Sequence, residues 1–112
     1  MCRIITNNTI VYNVGENARD NWDIVENAEP DDIWLHLHDF PSCHVIIETP
    51  KNDLSENDII FGANLCKQYS KYKDKKVKVS VLDKKHVIKG KAIGEVKKLA
   101  TQYRKESVAA NK

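Results

Sequence analysis

The chain has 112 residues, 41% of them hydrophobic and 30% charged, with a formal net charge of +2. This suits one domain with a real core and argues against a disordered chain. No run approaches the roughly 18 apolar residues of a membrane span, and Met1 to Asn8 lacks the apolar core of an export signal. Cys2, Cys43 and Cys66 are odd in number and far apart, which excludes a disulfide framework and a CxxC metal knuckle. A reducing, cytoplasmic setting without cofactor or membrane partner is expected.

The small net charge hides an asymmetry. Residues 1–66 carry twelve acidic and three basic side chains, whereas residues 67–112 carry fifteen basic and four acidic ones. A basic half of this density is an electrostatic footprint for phosphate. The competing reading is a lysine-rich surface neutralised by the acidic half in the fold.

In chain order, Arg3 to Thr6 and Thr9 to Val14 read as two strands around an Asn7-Asn8 turn, since asparagine tolerates positive φ. Glu16 to Ala28 is a polar loop or short helix, with Trp22 placed for packing. Ile33 to Leu37 alternates, so that Ile33, Leu35 and Leu37 face one way and Trp34, His36 and His38 the other. Asp39 to Ser42 is a turn containing Pro41, and Val45-Ile46-Ile47 is a β-branched strand. This hairpin brings His44 to the Trp34/His36 face if the register allows. After breakers at Thr49 to Asp53, Ser55 and Asp58 form a capping box opening the longest helix, about Ser55 to Tyr72. Its stripe is Ile59, Ala63, Cys66 and Ser70, with acids early and Lys67, Lys71 and Lys73 late, as the helix dipole favours. Lys76 to Leu82 alternates, burying Val77, Val79 and Val81 and presenting Lys76, Lys78 and Ser80. Asp83 to Gly94 is a basic loop, and Glu95 to Ala100 is a last strand or a helix start. The whole is expected to be α+β: a mainly antiparallel sheet with one long helix packed on it, one domain over 1–100 and a polar, fraying tail over 101–112.

The succession Gly15-x-Asn17-Ala18-x-x-Asn21, Pro30-x-Asp32-Ile33-Trp34-Leu35-His36 and Pro41-Ser42-Cys43-His44-Val45 resembles the NFACT-R domain family. That family shows a G-x-N loop, a D-[LI]-W-F-H strand and a P-G-S-H-V turn. Ala63 to Lys71 resembles its small-residue helix ending in Y-S-K, and Lys76 to Val96 its valine- and lysine-rich tail. The likeness spans roughly residues 3–98. Leu35 replaces the usual Phe, Ser42 the usual Gly, Glu48 a basic residue and Val81-Leu82 the usual Tyr-Thr, which marks a divergent member. The resemblance implies an RNA-binding module without catalysis of its own, linked to translation or ribosome-associated quality control. Its implied partners are tRNA or ribosomal RNA and the large ribosomal subunit. The family's N-terminal region, helix-hairpin-helix and coiled coil are not among these residues, so no tail-elongating activity is expected.

Trp34, His36 and His44 offer a stacking surface with hydrogen-bonding groups, suited to unpaired bases or a sugar-phosphate backbone. Asp32 is placed to orient a histidine. Asn17, Arg19 and Asn21 can reach phosphate or sugar, and Lys71, Lys76, Lys78, Lys84, Lys85, Lys89 and Lys91 are the candidate phosphate cations. Trp34 as core, with satisfied histidines, remains the structural alternative. Two other functions stay open. One is a protein-interaction adaptor without nucleic-acid binding. The other is a His-based metal-dependent enzyme using His36, His38 and His44 with Asp32 or Asp39, although that spacing is not H-E-x-x-H. A Cys43/His44 nucleophile pair is disfavoured because adjacent strand residues face opposite sides.

Overall fold

The structure is a computed structural model that describes residues 3–38, 42–48, 54–72, 75–93, 95–99 and 103–108. The expected turn at Asp39 to Pro41, the loop from Thr49 to Asp53, Lys73 and Gly94 lie outside them. Asn8 and Thr9 take left-handed backbone, φ 51° and 67°, and join β1 (Arg3–Asn7) to β2 (Ile10–Val14) as a two-residue hairpin. The turn is one residue later than expected, because Asn7 itself pairs with Ile10. In α1 (Ala18–Asn27), Asn17 is the N-cap, its side chain accepting the Asp20 N–H at 2.9 Å. Then follow β3 (Ile33–Leu37), β4 (Val45–Glu48), α2 (Glu56–Gln68), β5 (Val77–Asp83), a 3-10 turn (Lys84–His86), β6 (Val87–Lys89), β7 (Val96–Lys98) and β8 (Arg104–Val108).

Six strands form one antiparallel sheet in the order β1-β2-β4-β3-β5-β8, and β6 pairs with β7 as a separate ribbon. The architecture is α+β as expected, with two α-helices among the described residues rather than one. At α2 both halves of the capping box are made: the Ser55 N–H donates to Asp58 Oδ2 at 3.0 Å and the Asp58 N–H to Ser55 Oγ at 3.3 Å. The helix stops at Gln68 rather than near Tyr72.

The alternation in β3 sorts the sheet into two faces. Leu35, Leu37, Tyr12, Val45, Ile47, Val77 and Val79 pack under α2. The buried Tyr12 hydroxyl donates to the Asp58 carbonyl at 2.9 Å, and burial pushes its pKa up to about 12. Trp34, Ile46 and Leu82 face the other way and are covered by Ile24 and Val25 of α1 and Val87 of β6.

Two expectations are corrected and one open choice is decided. Ser80 is fully buried rather than outward, since the His38 ring lies on its hydroxyl and the larger His36 and Lys105 stand beside it on the neighbouring strands. The supposed tail is in part an edge strand: β8 pairs with β5 from Val77↔Val108 to Val81↔Arg104, and Arg104 reaches Glu56 at the start of α2, 3.1 Å away. Val96–Lys98 is a strand, which settles the ambiguity there. Among the described residues no helix is long and apolar enough to cross a membrane.

Candidate nucleic-acid interface

The site is built around His44. The Ile33↔Ile47 to Leu35↔Val45 register of β3 and β4, continued by one step, sets His36 opposite His44. Their rings meet edge to face at 4.7 Å between centroids. Trp34 Nε1–H donates to His44 Nδ1 at 3.1 Å, and the His36 ring stacks parallel to the indole at 5.7 Å. Asn21 Oδ1 accepts the His44 backbone N–H at 3.1 Å, while the Gly15 N–H donates to the His44 carbonyl at 3.0 Å. Ser42 Oγ accepts the Leu37 N–H at 3.1 Å. Residues of the loop and strand motifs thus converge on His44, Trp34 on its ring and Asn21 and Gly15 on its backbone.

Gly15 shows how tight this knot is. A Cβ there would lie 2.0 Å from Asn21 Oδ1, so the Asn21 side chain would have to leave the His44 amide. Gly15→Ala is therefore expected to cost about 2 kcal/mol, in the range of overpacked cores and a lost buried hydrogen bond. Urea unfolding checks this, and a loss below a few tenths of a kcal/mol would show that Asn21 is dispensable.

The bonding pattern sets both tautomers. An indole N–H only donates, so His44 Nδ1 carries the lone pair. Burial, then His36 and Lys98, push the His44 pKa down to about 3, so the ring is neutral at pH 7 and its proton is on Nε2. His36 Nδ1 lies 2.6 Å from the Leu37 carbonyl, an acceptor, so this nitrogen bears the proton. Burial lowers the His36 pKa, the Leu37 carbonyl opposes this and Lys98 adds to the lowering; the neutral ring leaves Nε2 as an acceptor. Neither Nε2 has a hydrogen-bond partner among the described residues.

The register carries the same face outward. His36 pairs with Ser80 and Ser80 with Lys105; His38 donates its backbone N–H to the Lys78 carbonyl at 2.8 Å. His38 Nδ1 lies 3.1 Å from Ser80 Oγ, and the Tyr103 ring stands 6.0 Å from the His38 ring. Lys98 sits over Tyr103 at 5.2 Å and Trp34 at 5.7 Å, and Lys105 over Tyr103 at 4.9 Å. Lys78, Lys98 and Lys105 form no ion pair among the described residues. Tyr103, Lys98 and Lys105 were not candidates from the sequence. The alternation of Tyr103, Lys105 and Ser107 with Arg104, Glu106 and Val108 was the signal that could have found two of them.

The sequence candidates fall in different places. Trp34 is 0% exposed, so the expected open stacking surface at the indole is corrected: it is core, because α1 and β6 cover that part of the sheet. Asp32 accepts the Glu29 N–H at 2.9 Å and closes the turn before β3; the bond that orients a histidine comes from Trp34. Asn17 caps α1, Asn21 is buried on His44, and Arg19 is exposed on α1. Lys78 stands on the His38 face, Lys71 beside the His36/His44 cleft, and Lys76 is exposed just before β5. Lys84 and Lys85 lie at the far end of β5, where Lys85 pairs with Asp31 at 3.9 Å and Asp83 at 3.8 Å. Lys89 pairs with Glu26 at 3.4 Å and covers Trp22, and Lys91 is exposed between β6 and β7. Among the described residues no group of three His, Cys, Asp or Glu side chains is placed to hold a metal ion. The Cys43 thiol hydrogen-bonds Cys66, which lowers its pKa, and His44 Nδ1 is taken by Trp34, so Cys43 and His44 form no nucleophile pair.

The antiparallel sheet presents lysines beside a tyrosine and histidines, groups that nucleic-acid-binding modules use for phosphates and bases. Residues 3–100 match the family model described as NFACT protein RNA binding domain, and the chain belongs to that family. It is 40% identical over 62 residues to the Rqc2 homolog RqcH of Bacillus subtilis (strain 168), covering 54% of this chain and 10% of that protein. It thus spans about a tenth of the length of this relative. The C-terminal structure of the fibronectin/fibrinogen-binding protein from Streptococcus suis superposes with a TM-score of 0.84 at 24% identity, over 98% of this chain and 45% of that one. That likeness concerns the fold.

Proposed function

We propose that this domain binds RNA, tRNA or ribosomal RNA, through the face formed by His36, His38, Lys78, Lys98, Tyr103 and Lys105. It would act in the cytoplasm as a binding module in translation or ribosome-associated quality control, with the large ribosomal subunit as partner and without catalysis of its own. Membership of an RNA-binding family and the RqcH relative support this reading. The observation that carries it is a pair of lysines without carboxylate partners among the described residues, Lys98 and Lys105, over the Tyr103 ring, with Lys78 further along the same side of the sheet. Phosphates meet the ammonium groups, and a base or ribose meets the aromatic edge.

The test is fluorescence anisotropy with a fluorescent RNA stem-loop from 50 to 200 mM salt. Changing Lys78, Lys98 and Lys105 together to glutamate is expected to weaken binding by about 100-fold at low salt and to flatten the log–log salt slope by about 2. Lys85→Ala with Lys89→Ala is expected to change affinity less than about threefold, since both cations are already paired. Equal affinity in the folded triple variant, or no binding by the unmodified protein, overturns the reading.

A further inference from the structure

A cleft of about 800 Å³ opens beside this face, between the N-terminal end of α1, residues 42–44 before β4 and the residues after α2. Its lining includes Arg3, Asn17, His36, His44, Tyr69 and Lys71. Its size falls within the range of small-molecule sites. No buried side-chain nitrogen or oxygen among the described residues lacks a partner, so the unpartnered Nε2 atoms of His36 and His44 touch solvent. His44 Nε2 bears a proton and His36 Nε2 a lone pair. A donor and an acceptor therefore stand next to each other, on rings 4.7 Å apart, in the wall of the cleft. Every nucleobase presents a donor beside an acceptor on its Watson–Crick edge, and that edge is free only when the base is unpaired.

The rest of the lining suits a nucleotide. Tyr69 supplies an aromatic ring, and the Arg3 guanidinium stands 4.6 Å from its centre. Lys71 is exposed, without an ion pair among the described residues, and available to a phosphate. Trp34, Asn21 and Gly15 then have a second consequence, since together they fix the position and tautomer of His44. Such an arrangement reads hydrogen bonds without committing a charge.

We infer that the cleft receives a single unpaired nucleotide of the bound RNA, its base edge on the Nε2 atoms of His36 and His44 and its phosphate by Lys71. This rests on the RNA-binding reading above and adds that unpaired positions are preferred. Two stem-loops of equal length are compared, one fully paired and one with a single-nucleotide bulge. The bulged RNA is expected to bind roughly tenfold more tightly, the order of one stacked and hydrogen-bonded base. Ala18 is exposed on the first turn of α1 and lines the cleft, so Ala18→Trp fills it without touching the core. That variant is expected to lose the preference while keeping its affinity for the paired stem. His36→Phe, which retains a ring beside Trp34 and removes the acceptor, is expected to reduce the preference as well. Equal affinity for both stems, or a preference that survives Ala18→Trp, overturns this inference alone. Failure of both stems to bind the unmodified protein overturns it together with the RNA reading.

Discussion

Replacing Trp34 with alanine is expected to lower the unfolding free energy by about 4 kcal/mol, within the usual range for a buried aromatic. The indole is completely buried among Ile24, Val25, Ile46, Leu82 and Val87, so truncation leaves a cavity between the sheet and its second layer. It also removes the donor to His44 Nδ1 and the ring on which His36 stacks. A loss of this size is a large part of the stability of a small domain. Trp34→Phe separates the two contributions. It keeps a buried aromatic ring but removes the N–H and the smaller ring of the indole, for an expected cost of about 2 kcal/mol. In that variant His44 is released to exchange its proton between Nδ1 and Nε2, visible in the imidazole nitrogen shifts. Urea unfolding of both variants checks the energies; an alanine variant within 1 kcal/mol of the unmodified protein would show that the indole is not core. The functional consequence is indirect. Trp34 is buried away from the surface, and it bears on the cleft through His44, which it bonds, and His36, which stacks on it.

The sequence spoke clearly where one local rule decided the outcome. Alternation in Ile33 to Leu37 sorted side chains onto two faces, and the structure keeps that sorting residue by residue. The Ser55/Asp58 box and the α2 start followed from capping chemistry alone. Alternation does not say which faces become covered, however. Trp34 is buried by residues 18–27 and by the β6–β7 ribbon, segments remote in sequence, and Ser80 by His38 and by Lys105 of an edge strand that reads as a polar tail. Charge runs were equally ambiguous. Lys85 and Lys89 meet Asp31, Asp83 and Glu26 because the β3–β5 register and the placing of β6 on α1 bring acids to them. Lys98 and Lys105 went unnoticed although they stand beside Tyr103, since their strands carried too little apolar signal. The motif residues, by contrast, pointed to the right place without revealing its chemistry. Which histidine nitrogen carries a proton depends on Trp34 and on the Leu37 carbonyl, and only coordinates supply those distances.

The second large effect is on pH dependence. Burial, then His36 and Lys98, hold the His44 pKa at about 3, against an ordinary value of 6.5 in the unfolded chain. Between those values the unfolded chain binds a proton that the folded one refuses. The stabilisation is fully present above pH 6.5 and declines as pH falls toward 3. At pH 4.5 the expected loss from this ring alone is about 3 kcal/mol, at 1.4 kcal/mol per pH unit. His36, whose pKa is also lowered by burial, adds to it in the same direction. Protonation would set an Nδ1–H against the Trp34 N–H, so the first consequence is loss of the bond that fixes His44. Carboxylates titrate over the same range and must be separated out. His44→Asn does this, because its amide oxygen sits where Nδ1 was, can accept the indole N–H and does not titrate. The variant is expected to be less stable than the unmodified protein at pH 7, having lost ring contacts. Its further decline to pH 4.5 should nevertheless be smaller by about 3 kcal/mol, as read by urea unfolding at the two pH values. Parallel declines in the two proteins would mean that His44 takes up its proton in the fold as readily as in the unfolded chain, and the lowered pKa of the buried ring would fall.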